Sequence, residues 1–170
     1  MPVIRLSKIA LLASTALFVT LVAFGNITDY GTNFAFVEGV LRMETIFPEA
    51  SIGWRALGSP VLHHIAYLLI ITLEVAVALA CWAGTFALWR ARRGSAADFK
   101  RAKKWGVVGL SLGFVLWQAG FMAIGGEWFG MWMSEVWNGT EPAFRVLITL
   151  LALLIYLTMP DEEIRRDGGA

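Results

Sequence analysis

Apolar positions along the chain gather into four long runs, separated by segments that are polar, basic or rich in aromatic rings. The runs cover residues 9–24, 62–89, 107–124 and 144–157. A hydrocarbon core about 30 Å thick needs about 20 helical residues, and tilt or flanking aromatics absorb small shortfalls. Each run therefore predicts a membrane-crossing helix, over about 7–25, 60–90, 104–124 and 142–159. Ser59 and Pro60 mark the second start, serine as N-cap and proline as first helical residue. The expected fold is all-α, an integral membrane four-helix bundle that occupies 1–170 as one transmembrane domain.

The segments between runs have patterns of their own. In 25–59, Phe36, Val37, Val40 and Leu41 recur at helical spacing with Glu38, Arg42 and Glu44 interleaved. That pattern predicts a short amphipathic helix on the membrane face, ended by Pro48. The segment 125–141 holds Trp128, Phe129, Met131, Trp132, Met133 and Trp137. Indole rings at this density suit the headgroup level of a bilayer. Phe34, Phe36, Trp54, Trp128, Trp132 and Trp137 are thus expected at a membrane interface, as a lid over the bundle or as a surface for a partner subunit.

Charge orients the bundle. Between the second and third runs lie Arg90, Arg92, Arg93, Lys100, Arg101, Lys103 and Lys104 against the single acid Asp98. The positive-inside rule puts this loop in the cytoplasm, together with Arg5, Lys8, Arg165 and Arg166. Eleven of the fourteen cationic residues then share one side, leaving Arg42, Arg55 and Arg145 outside. The topology is N-in/C-in. Arg5 and Lys8 before an apolar run resemble a signal peptide, but no small-x-small cleavage site follows, so a retained first helix is expected.

Composition adds little beyond agreement. Hydrophobic residues make up 58% and charged residues 16%, with a mean hydropathy of +0.66. A soluble domain carries about a quarter charged residues. The net charge of +1 gives no reason to expect a nucleic-acid partner. A lone cysteine, Cys81, excludes an intrachain disulfide.

Polar residues inside the runs carry the candidate chemistry. At 100° per residue, His63, Tyr67, Glu74 and Cys81 fall within about 40° on the second helix. Such a stripe should turn away from lipid. Glu74 lies about 16 Å along the helix from His63, and a carboxylate at that depth must be neutral, paired or beside water. On the fourth helix Arg145, Thr149 and Tyr156 share a face, on the third Ser111 and Gln118, and on the first Ser7 and Ser14. Four polar seams suggest one shared interior, in which Glu74, Gln118 and Arg145 could meet. Either this is interhelical glue, or a buried ligand, quinone or proton site, or a contact with another subunit. Glycines 106, 109, 113 and 120 lie on the far side of the third helix, suited to close helix contact.

The excluded chemistry is broad. No His/Cys set stands at zinc spacing, and phosphate-cradling glycine loops and nucleophile elbows are missing. His63 and His64 point about 100° apart, so one helix cannot aim both at one ion. A copper site from one of them with Met122, Met131 or Met133 is less favoured than a plain polar contact with the outer loops. No catalytic residue, metal or cofactor is assigned, and the chain is not expected to be an enzyme. Asn26-Ile27-Thr28 and Asn138-Gly139-Thr140 fit the glycosylation sequon, a pattern common by chance.

Five segments look familiar together: 26–37 (NITDYGTNFAFV), 59–67 (SPVLHHIAY), 116–121 (LWQAGF), 125–129 (GGEWF) and 137–145 (WNGTEPAFR). The chain resembles, over nearly its whole length, a proteobacterial family known only as predicted small integral membrane proteins of unknown function. The resemblance implies a four-helix, multi-pass protein of a bacterial inner membrane and supplies no activity or site residues. The leading functional expectation is a non-catalytic accessory or structural subunit of a larger membrane assembly, in contact with lipid and with a protein partner. The alternative is a protein that handles a small molecule, quinone, ion or proton at a buried site around Glu74.

Overall fold

A computed structural model describes residues 2–163; Arg165 and Arg166 lie outside the described residues. The chain forms α1 (Pro2–Thr28), α2 (Tyr30–Arg42), α3 (Pro60–Ala91), α4 (Ala96–Ala102), α5 (Lys104–Val115) and α6 (Thr140–Thr158). A π-helical segment, Leu116–Trp128, continues α5. No strand occurs among the described residues. Four stretches are long and apolar enough to cross a membrane: Val3–Thr28, Pro60–Ala91, Ala96–Trp128 and Thr140–Thr158.

The four spans run up and down in chain order, each beside the next: α1 on α3, α3 on α5, α5 on α6. Their inward residues follow alternating steps of three and four. On α1 these are Leu12, Ala16, Val19 and Ala23; on α3 they are Tyr67, Ile71, Glu74, Ala78, Cys81, Thr85 and Leu88. This is the seam that keeps neighbouring helices in register over many turns. The opposite faces present Leu69, Leu79, Phe86, Phe144 and Ile155 outward, as a bilayer requires.

α3 and α5 pack most tightly. A Cβ on Gly84 would lie 2.4 Å from the Gly106 backbone nitrogen, and one on Gly109 would lie 2.7 Å from Cys81 Sγ. One on Gly113 would meet Leu150 Cδ1 of α6 at 2.9 Å, so that glycine faces the fourth span instead. Small residues let these backbones approach where lipid offers no hydrophobic drive to association. Gly120 does not join this seam, since a Cβ there would touch only Leu116 Cδ1, at 3.6 Å. The cause is the change of winding at Leu116, which rotates and displaces the chain beyond it.

The two ends differ. The basic end gathers the start of α1, the α3–α4 turn and the segment after α6. Arg5 is 1% exposed, donates to the carbonyls of Gly94 (2.7 Å) and Glu162 (3.0 Å), and lies over the Phe99 ring. Lys8 donates to Met159 O (2.7 Å) and Asp161 Oδ1 (2.9 Å), and Lys103 donates to Met159 O (2.8 Å) and forms an ion pair with Asp161 Oδ2. Burial alone would raise the Asp161 carboxyl, but the Lys103 and Lys8 ammonium groups outweigh it and hold it below its ordinary value.

At the aromatic end α2 follows α1 after a break at Asp29 and packs across the start of α3, burying Gly39, Val40 and Leu41. The amphipathic helix is therefore present, but Pro48 does not end it. It stops at Arg42, where Met43 adopts a left-handed conformation (φ 55°) and donates its N–H to Val40 O.

Candidate functional site

The site begins on α1. Continuing the seam of Leu12, Ala16, Val19 and Ala23 by three residues reaches Asn26, still helical because α1 extends to Thr28. Its amide Nδ2 donates to Glu74 Oε2 at 2.7 Å, and its carbonyl accepts from Tyr67 OH at 2.9 Å. Both partners sit on the buried face of α3, seven residues apart, and each is 1% exposed. Among the described residues the Glu74 carboxyl has no further hydrogen bond or ion pair.

These groups border a cavity of about 370 Å³ in the aromatic half of the bundle. Glu74, Asn26, Tyr67 and Asn33 supply polar groups, and Asn138 lies at the rim. Trp117 and Phe121, stacked at 6.2 Å and 14°, line a wall of the same cavity. Phe36 and Val37 of α2 also line it. Among the described residues, no lysine, arginine or histidine lines it.

Of the residues singled out from sequence, Tyr67 and Glu74 meet here. His63 is fully buried on the same face of α3 but belongs to another network: Nε2 donates to Leu57 O at 2.7 Å, and Nδ1 faces Glu38 Oε1 at 3.5 Å. Gln118 is exposed and does not approach Glu74. Arg145 and Thr149 are exposed too, Arg145 paired with Glu141 on its own helix. The α6 stripe is real but faces elsewhere. Arg145, Thr149 and Tyr156 line a second groove, about 800 Å³, between α1 and α6, opposite Ser14. Tyr156 closes its basic end through a 2.6 Å hydrogen bond with Ser7. The polar seams therefore form two systems rather than one interior, because α6 presents that face to α1 and its Ala143–Leu150 face to the core.

The aromatic residues also divide. The Trp137 indole covers Gly39, where a Cβ would lie 2.5 Å from Nε1, and Phe36 meets it edge-on at 6.2 Å. Phe36 also lines the cavity, and Trp137 packs on the Val40–Met131 apolar cluster beside it. Phe34 stacks on His64 at 4.1 Å. Trp54, Trp128 and Trp132 remain exposed, with the Arg55 guanidinium 4.6 Å from the Trp128 ring centre and 5.5 Å from that of Trp54. No group of three or more His, Cys, Asp or Glu able to hold a metal occurs among the described residues.

Asn26, Asn33 and Trp117 were missed by sequence reading. Asn26 could have been found by extending the α1 heptad past the apolar run; nothing local marks Asn33 or Trp117.

Four lipid-length helices and a polar cavity between them define a multi-pass, all-α integral membrane protein. The chain belongs to the DUF2165 family, described as predicted small integral membrane proteins, whose family model matches residues 4–160. No curated protein and no solved structure matches it significantly.

Proposed function

We propose that this protein binds a small, neutral, lipophilic molecule, with its polar head held at Glu74 and Asn26. The observation that supports this is the Glu74 carboxyl, buried at the edge of a cavity, with one oxygen taken by Asn26 and no cation beside it among the described residues. A buried polar group of this kind is costly in a membrane unless it has work to do. An anionic headgroup would meet a carboxyl with no counter-charge, whereas a carbonyl-bearing ring can accept from the O–H of a neutral Glu74 carboxyl and from the second Nδ2 hydrogen of Asn26, against an aromatic wall of Trp117 and Phe121. A quinone-like head fits this chemistry. The role is binding rather than catalysis, in a bacterial inner membrane with the basic end in the cytoplasm, as the segregation of Arg and Lys supports.

The test uses the purified full-length protein in nanodiscs, titrated with 2,3-dimethoxy-5-methyl-1,4-benzoquinone while tryptophan fluorescence is followed. Saturable quenching that disappears in Trp117→Phe is expected. Glu74→Gln, which keeps a hydrogen-bonding group, should bind within a few-fold of wild type. Glu74→Leu should bind about tenfold more weakly, the loss of one good hydrogen bond. Equal binding by wild type and Glu74→Leu would refute the reading.

A second reading, an accessory subunit of a larger membrane assembly, is supported by the exposed Trp54–Arg55–Trp128 stack. Tryptophan and arginine are the residues most enriched at interaction hot spots. Replacing Trp54 and Trp128 with alanine should remove co-purifying partners from native membranes without changing quinone titrations. Unchanged partner recovery would count against it.

A further inference from the structure

We infer that the ligand enters sideways from the bilayer, between α3 and the π-helical segment, and keeps a hydrocarbon tail in the groove there. The inference rests on the binding site proposed at Glu74 and adds the class of molecule and its route.

The groove follows from the two windings of one span. At Gly84–Gly106 and Gly109–Cys81 the third span is held against α3 by glycines that leave no room for a methyl group. From Leu116 the hydrogen bonds lengthen to the π pattern, ending with Phe129 N–H on Ile124 O at 3.0 Å. A wider helix set off the glycine seam cannot stay flush with α3, and a gap of about 360 Å³ opens. It runs beside Ala66 to Leu73 on α3 and Leu112 to Gly125 opposite, with Val40 and Leu41 of α2 across its far end. Every described side chain that lines it is apolar. Leu69, Val115 and Ile124 stand at its edges with outward faces exposed, so its mouth opens where lipid lies.

A lipid-facing groove alone would hold any acyl chain. This one ends at the polar cavity: Phe36, Val37, Ile70 and Phe121 line both. These four side chains stand between groove and cavity. Glu74 lies about 21 Å along α3 from Pro60, well below the headgroup level. A phospholipid head is too charged for that depth. What fits both spaces is a small neutral head joined to a prenyl or alkyl chain.

The α1–α6 groove is the competing route, since Phe18 and Val146 line both it and the cavity. It is lined in part by Ser14, Thr149 and Arg145, a poorer place for a hydrocarbon tail.

Two probes and two variants test the inference in nanodiscs, with affinities expressed per mole fraction in the bilayer. The probes are decyl-substituted 2,3-dimethoxy-5-methyl-1,4-benzoquinone and its tailless parent. Gly120→Leu places a side chain in the groove where a Cβ has room, and Ala152→Leu fills the α1–α6 groove instead. Wild type should prefer the decyl probe by about tenfold or more; Gly120→Leu should erase that preference and leave the tailless probe unchanged, and Ala152→Leu should do neither. Equal binding of both probes by wild type overturns the tail assignment. Loss of preference in Ala152→Leu but not Gly120→Leu overturns the route. Equal weakening of both probes by Gly120→Leu also overturns it. Binding of neither probe by wild type overturns the Glu74 site itself, which is a different failure. Ala119→Leu, at an exposed position on the same groove, should repeat the Gly120→Leu result.

Discussion

The Asn26–Glu74 hydrogen bond crosses from α1 to α3 within the membrane at 2.7 Å. Interhelical bonds of this kind contribute about 0.6 kcal/mol on average and at most about 1.7, because a polar group in lipid finds other partners when the helices separate. Asn26→Leu should therefore lower stability in detergent by about 0.6–1.7 kcal/mol, with Glu74 left unpartnered. The double variant Asn26→Leu/Glu74→Leu should cost less than the sum of the singles. Additive losses in thermal melting would show that the two groups do not interact. Tyr67 gives an internal control, since it donates to the Asn26 backbone carbonyl and keeps that bond in Asn26→Leu.

At the scale of elements, the decisive pairing is α3 with α5. Gly109→Ala would push a methyl to 2.7 Å from Cys81 Sγ and 2.9 Å from its backbone nitrogen, so one helix must move. Overpacking of this kind costs about 1–3 kcal/mol. Gly120→Ala, with only Leu116 Cδ1 nearby, should be neutral or slightly stabilising because alanine is the better helix former. Melting curves of the two variants should separate clearly. Equal midpoints would mean that the seam is looser than these distances imply.

Over the whole molecule, the basic end is fastened by Asp161 between Lys8 and Lys103. Asp161→Ala leaves two buried ammonium groups without their anion, a change that costs about 3 kcal/mol or more. The pH dependence has a definite sign. The folded carboxyl lies below its ordinary value of about 3.9, so its stabilisation is complete above that pH and is lost as pH falls through the lower folded value. Wild type should lose stability below about pH 4 more steeply than Asp161→Asn. Parallel acid profiles would remove Asp161 from the clamp. Orientation is tested on the same scale in a Cys81→Ser background, since Cys81 is buried. Cysteines at the exposed positions Ala97 and Glu135 should react with an impermeant thiol reagent from opposite sides of the membrane, and Ala97→Cys only from the cytoplasm.

What the sequence determined by itself is everything that depends on one helix and its solvent. Four apolar runs required four spans, since a chain in lipid must satisfy its backbone within each segment. The loop patterns required α2, and the spacing of His63, Tyr67 and Glu74 required that they share a face. Tertiary structure decided which faces meet. Periodicity fixes the angle of a side chain about its own helix axis but not the rotation of that helix against its neighbours. Hence Arg145, Thr149 and Tyr156 keep their common face yet turn it to α1, while Glu74 finds Asn26, beyond the end of the first apolar run. The winding change at Leu116 was likewise invisible locally, and it is what turns Gln118 outward, ends the glycine seam before Gly120 and opens the groove beside α3.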